Sequence, residues 1–199
     1  MFISYNEACA RDCSTLEQDL VLCEKAGFDY IEIRLDMLTD YLKRHTVEEL
    51  AAFFCTSRLK PHAFNALYLY PEFLSEGDDE ARQKELLEEF RLGCEVGRAI
   101  GSHYFIIVPP LQRDPAGGPY TGSWEDTFSN CVRILKELSR RAEPYDMNLC
   151  FELVGFERSS VRSIGQADAV VRAVDRPNVG FVFDSYNIFL NGGCNDFSA

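Results

Sequence analysis

Two spacings of apolar residues alternate along this chain. Short runs rich in β-branched and aromatic residues predict strands near Phe2–Asn6, Tyr30–Arg34, Pro61–Leu67, Tyr104–Val108, Asn148–Val154 and Val179–Asp184. Between them apolar residues fall every three to four positions, as in Leu16/Leu20/Cys23, Leu86/Phe90/Cys94 and Val132/Leu135/Leu138, the spacing that lines one face of a helix. Helix starts agree with this division. Ser14 with Glu17, Thr46 with Glu49 and Ser163 with Gln166 each match a capping box, in which side chains satisfy N–H groups that a first turn leaves open. Gly27 and Gly101 follow helical segments, where a left-handed residue closes the last turn.

Repeated strand-helix units imply a parallel sheet, because parallel neighbours need a crossover and the crossover is right-handed. Two architectures satisfy the pattern: an open doubly wound sheet and a barrel. From Phe2 to Val179 the units recur at about 35 residues, so a closed eight-fold barrel would need about 280. The chain has 199 residues. Read as a barrel, it holds six of eight strands and reaches the start of the sixth helix at Asn187, so the expectation is one domain over 1–199, C-terminally incomplete.

Composition narrows the class without changing the fold. Hydrophobic residues at 46% and charged residues at 26% describe a globular chain, not a disordered or fibrous one. No apolar run approaches the roughly 18 residues of a membrane span. Met1 to Cys13 is broken by Ser4, Asn6, Glu7, Arg11 and Asp12, unlike a signal peptide, so the expectation is a cytoplasmic protein with no membrane partner. Acidic residues outnumber basic ones by 32 to 20, and a net charge of −12 repels nucleic acid. The eight cysteines are scattered without a C-x-x-C pair and read as free thiols. Glycine-rich nucleotide loops, G-x-S-x-G and H-E-x-x-H are absent from the sequence.

In a parallel α/β sheet the ligand site lies beyond the carboxyl ends of the strands, so polar residues that end an apolar strand are the candidates. Glu152 and Asp184 stand out. A carboxylate at the lip of a buried strand loses hydration, and two on adjacent strands repel each other; a divalent cation between them relieves both costs. The alternative is that each pairs with an arginine or caps a helix. His45, His62 and His103 precede helices or strands, at the other end of the sheet, so the ligands within this chain are oxygens, which suit Mg²⁺ or Mn²⁺; Zn²⁺ would want imidazole from elsewhere. Glu32 and Arg34 share one face of the second strand, as a structural bridge or as substrate contacts. Asn6 and Asn65, near strand ends, fit either an orienting contact to a substrate hydroxyl or a turn. The long segment from Pro109 to Ser123 reads as a lid, with Arg113 and Trp124 as substrate contacts or as part of a passive insertion.

Ser4-Tyr-Asn-Glu-Ala, Phe28-Asp-Tyr-Ile-Glu-Ile-Arg, Phe64-Asn-Ala-Leu, Phe151-Glu-Leu-Val-Gly and Asn178-Val-Gly-Phe-Val-Phe-Asp-Ser together resemble the inosose (2-keto-myo-inositol) isomerases, within the xylose-isomerase-like TIM barrels. The resemblance implies an α/β fold, a partial (β/α)8 TIM barrel with about six of eight strand-helix units and parallel strands. It implies a divalent metal, Mn²⁺, Zn²⁺, Co²⁺ or Mg²⁺, held by Glu152 and Asp184. The metal would hold a ketone oxygen and its neighbouring hydroxyl while a proton leaves carbon, with Glu152 as acid/base. The implied partner is a cyclic polyol or ketose; a homo-oligomer stays open. Asn187 stands where many relatives carry a histidine that contacts substrate. The family's two remaining ligands, a histidine and a glutamate on later strands, would lie beyond Ala199, and Glu157 and Arg158 have no counterpart role. The competing reading is a catalytically inactive partial barrel that acts through self-association or by pairing with a separate fragment.

Overall fold

The structure, a computed structural model, describes residues 1–10, 13–69, 80–112 and 118–192. Six parallel strands form one sheet in chain order: β1 (Ser4–Asn6), β2 (Tyr30–Arg34), β3 (Lys60–Tyr68), β4 (Tyr104–Val108), β5 (Asn148–Glu152) and β6 (Val179–Val182). Helices α1 (Leu16–Ala26), α2 (Leu35–Tyr41), α3 (Val47–Thr56), α4 (Glu80–Ile100), α5 (Trp124–Ala142), α6 (Ile164–Val174) and α7 (Ser185–Leu190) alternate with them. Each strand pairs with the next, and among the described residues the sheet does not close, since β1 and β6 each have a single hydrogen-bonded neighbour. Among the described residues no helix is long and apolar enough to cross a membrane.

Capping chemistry sets the helix ends. Thr46 and Ser163 make the expected boxes with Glu49 and Gln166. At α1 the box sits one residue later than the sequence suggests, on Thr15 and Gln18, because the Ser14 hydroxyl is drawn to Asp19 Oδ2 at 2.9 Å. Gly27 and Gly101 both adopt φ 84°, the left-handed turn a side chain resists.

Strand alternation sorts the residues into two layers. Ile31, Ile33, Phe64, Leu67, Phe105, Ile107, Leu149 and Phe151 point outward and pack with the helices in the main core. The opposite face is narrower: Ala63, Ala66, Ile106, Val108 and Val154 form a small inner cluster, with Cys150 against it. In β3 the register moves from Phe64 opposite Phe105 to Leu67 opposite Ile107, so Asn65 and Ala66 together oppose the single residue Ile106. This bulge turns Tyr68, not Leu67, toward the inner face. The seven described cysteines are free, and burial pushes Cys94 and Cys131 up to about 12.

Candidate functional site

The register that places Ile106 beside Cys150 and Glu152 beside Val182 turns Glu152 inward, and two steps beyond Val182 the chain reaches Asp184 on the same side. Asp184 ends the strand by capping α7: its Oδ1 accepts the Tyr186 N–H at 2.8 Å. One turn on, Asn187 is 7% exposed, and its Nδ2 donates to Asp184 Oδ2 at 2.9 Å and to Glu152 Oε1 at 3.2 Å. The two carboxylates therefore meet at one rim, on a shared amide. Capping and convergence coexist at Asp184, so the cap does not exclude a ligand role.

A third carboxylate adds to the field. Glu32 on β2 accepts from Asn65 Nδ2 at 2.6 Å, and its charge, with that of Asp184, acts on Glu152. Burial pushes the Glu152 carboxyl up to about 7, the Asp184 and Glu32 charges push the same way, and the Asn187 donor partly offsets them. Burial also raises Glu32, against the donor from Asn65 and the nearby His62. Such a mouth attracts cations. Among the described residues no group of three or more His, Cys, Asp or Glu is arranged to hold a metal ion, so Glu152 and Asp184 fit as two donors of an oxygen-rich site rather than as a full ligand set.

The other sequence candidates separate from this pair. Arg34 grips both oxygens of Asp36 rather than Glu32, with Nε 2.9 Å from Asp36 Oδ1. It lines a neighbouring cleft of about 440 Å³ with Asn65, Tyr68, Gln112 and Arg158. Asn6 turns the chain after β1, its Oδ1 accepting the Ala8 N–H at 2.8 Å. Trp124 begins α5 and packs beside Phe128 in the helix layer, whereas Arg113 lies outside the described residues.

Two features escaped the sequence. Glu157 and Arg158 belong to a seam between the loops that follow β4 and β5: Tyr120 N–H donates to Glu157 O at 2.9 Å, Gln112 N–H to Arg158 O at 2.9 Å, and Arg158 Nη1 to Gln112 O at 3.1 Å. No side-chain pattern announces such main-chain pairing. The second is Glu7, fully buried behind β1. Its Oε2 accepts the Arg34 N–H at 2.8 Å, while Oε1 has no donor and lies toward the buried Asp19 carboxyl. Burial pushes Glu7 up to about 8, so it keeps a proton that it can donate to Asp19. Glu7 next to the turn former Asn6 was the available signal.

A family model for the xylose isomerase-like TIM barrel matches residues 20–199. The chain belongs to the xylose isomerase-like TIM barrel family. Curated relatives in that family include an inosose isomerase of Bacillus velezensis, 39% identical over 193 residues, and one of Halalkalibacterium halodurans, 37% identical. Each alignment covers 96% of this chain but 65% and 64% of the relative, so the chain spans a little under two thirds of their length. Among solved structures, an IolI protein with a bound zinc atom superposes with a TM-score of 0.84 at 37% identity, over 96% of this chain and 66% of that one. The six parallel strands thus form part of a TIM barrel.

Proposed function

We propose that this chain carries the cation-binding side of an isomerase site that shifts a carbonyl between adjacent carbons of a keto-inositol, with Glu152 and Asp184 as ligands to a divalent metal. The observation that carries the reading is the convergence of those two side chains on one rim within 3.2 Å of a single amide nitrogen. The inosose isomerase names of the curated relatives supply the substrate class, and the zinc atom bound in the IolI structure supports a divalent metal in this chain. All-oxygen donors within this chain suit Mn²⁺ or Mg²⁺.

When bound, the ion supplies Lewis acidity toward a ketone and the hydroxyl beside it. The remaining work falls to side chains. With Oε1 of Glu152 engaged by Asn187, Oε2 is the oxygen left to hold or release a proton. Glu32 and Asn65 face the mouth as a bonded pair able to accept from, and orient, the hydroxyls of a cyclic polyol. Asn6 and Arg34 lie farther round the rim, where Asn6 Nδ2 and the guanidinium offer donors to more distant hydroxyls. The net charge of −12 argues against a nucleic-acid substrate.

The test is the full chain with Mn²⁺ and inosose in D₂O, followed by NMR. Carbonyl migration with deuterium entering at carbon is expected; Glu152→Gln abolishes it and Asp184→Asn weakens it. Activity unchanged in Glu152→Gln overturns the reading. Repeating the assay with Mg²⁺, Co²⁺ and Zn²⁺ ranks the metals.

A further inference from the structure

We infer that Asn187 is the positioning residue of this site: its neutral carboxamide holds the Glu152 and Asp184 side chains at the mutual spacing that a cation can bridge. The inference rests on the reading of those two residues as cation ligands and says how the chain prepares them.

Both ends of the amide are accounted for. The Gly155 N–H points at Asn187 Oδ1, 3.2 Å away, and an N–H there demands an acceptor, which fixes the orientation of the carboxamide. Its Nδ2 is thereby turned to the carboxylates, and the two hydrogens it carries match the two contacts at 2.9 and 3.2 Å. The side chain is buried, so water does not compete for these bonds. Neither N–H remains for a substrate hydroxyl, which departs from the contact expected at this position.

The surroundings hold the amide still. Asn187 stands in the first turn of α7, whose cap is Asp184 itself, so the helix start and one ligand are a single unit. The loop after β5 presses on that turn: a Cβ at Gly155 would lie 2.1 Å from the Asn187 carbonyl oxygen. The same glycine's carbonyl accepts from Arg162 Nη2 at 3.3 Å, so the loop is gripped on both sides. Strand β5, its loop and α7 thus converge on one carboxamide.

Neutrality is the chemical point. A lysine or an imidazolium in this place would cancel one carboxylate charge and compete with a metal for the same oxygens. An amide satisfies one lone pair on each carboxylate and leaves the combined charge intact for a cation. Removing the amide leaves two half-buried carboxylates whose repulsion drives them apart, so a cation must first bring them together.

Mn²⁺ binding to the full chain, read by the electron paramagnetic resonance signal of the free ion, tests this. Asn187→Leu keeps the bulk and removes the donors; affinity should fall by about 10–100-fold, the loss expected when an outer hydrogen-bond partner of a ligand is removed. Asn187→Gln keeps a neutral carboxamide with both N–H groups and should recover part of that loss, which a purely space-filling role would not produce. Affinity unchanged in Asn187→Leu overturns the proposal. Metal-free double-mutant cycles by urea unfolding probe the bridge independently of the cation: Asn187→Ala should be non-additive with both Glu152→Gln and Asp184→Asn, and additivity with either one overturns the bridging role. If the unaltered chain takes up no Mn²⁺, the cation reading falls, and the cycles alone decide whether Asn187 is the bridge.

Discussion

Two carboxyl pairs near the two edges of this sheet stand in opposite circumstances. Glu152 and Asp184, at the β5–β6 end, are half-buried, open to the mouth, and share a neutral donor. Glu7 and Asp19, at the β1–α1 end, are 0% and 3% exposed, and among the described residues Glu7 Oε1 has no N–H or O–H donor. The same functional groups are thus left with different partners. A cation can reach the first pair; only a proton can settle inside the second. Accessibility, rather than the count of carboxylates, separates a binding site from a buried acid.

Gly155 is the position at which this contrast breaks most completely. Replacing it by valine puts side-chain atoms into the Asn187 carbonyl, and urea unfolding should show a loss of about 3 kcal/mol or more together with loss of Mn²⁺ binding. Next comes the exchange of acids for amides. Glu152→Gln should remove Mn²⁺ binding, whereas Glu7→Gln should leave it unchanged, because a glutamine can still accept from Arg34 N–H and donate to Asp19; equal effects of the two changes would erase the distinction.

A graded effect lies in pH. Glu7 titrates higher in the fold than in the unfolded chain, so its proton is shared by both states at low pH, and folding is penalised as pH rises from about 4.5 through about 8. Unfolding free energies of wild type and Glu7→Gln should therefore diverge with pH, the wild type losing up to about 1.4 kcal/mol per pH unit relative to the variant in that window. Glu152→Gln, without metal, should stabilise in the same direction between about 4.5 and 7, trading function for stability. The smallest effect is expected on the helix surface. Asp168→Ala, which breaks an ion pair to an arginine side chain 71% exposed, should leave the unfolding midpoint and the metal affinity where they were.

What could be read ahead of the structure follows from where information sits along a chain. The six strands and the longer helices between them were legible because burial repeats at fixed periods, and Glu152 and Asp184 were legible because a charge ending an apolar run is a local anomaly; the short α2 escaped, and α7 starts at Ser185 rather than at the expected Asn187 because Asp184 caps it. The capping box moved by one residue because Ser14 and Thr15 are equally good caps locally, and the choice was made by Asp19 from inside the fold. The seam through Glu157 and Arg158 is main-chain pairing between distant loops, which side-chain identity does not encode. Asn187 was found for its position, but its two-sided hydrogen bonding depends on Gly155, 32 residues earlier, and only folding brings the two together.

The bulge in β3 carries one more consequence. Because two residues face one across that strand pair, everything after Ala66 is out of phase with the lower half of the strand. Losing a single amino acid at 65 or 66 would restore one-against-one pairing and leave Leu67 in the oily layer and Tyr68 in the wet one, but it would take away one of two adjacent inner positions: Asn65, whose amide serves Glu32, or Ala66 of the small inner cluster. The additional residue thus lets one level of the sheet carry both a polar arm and a small filler, a pairing that a regular strand has room for only once every two residues.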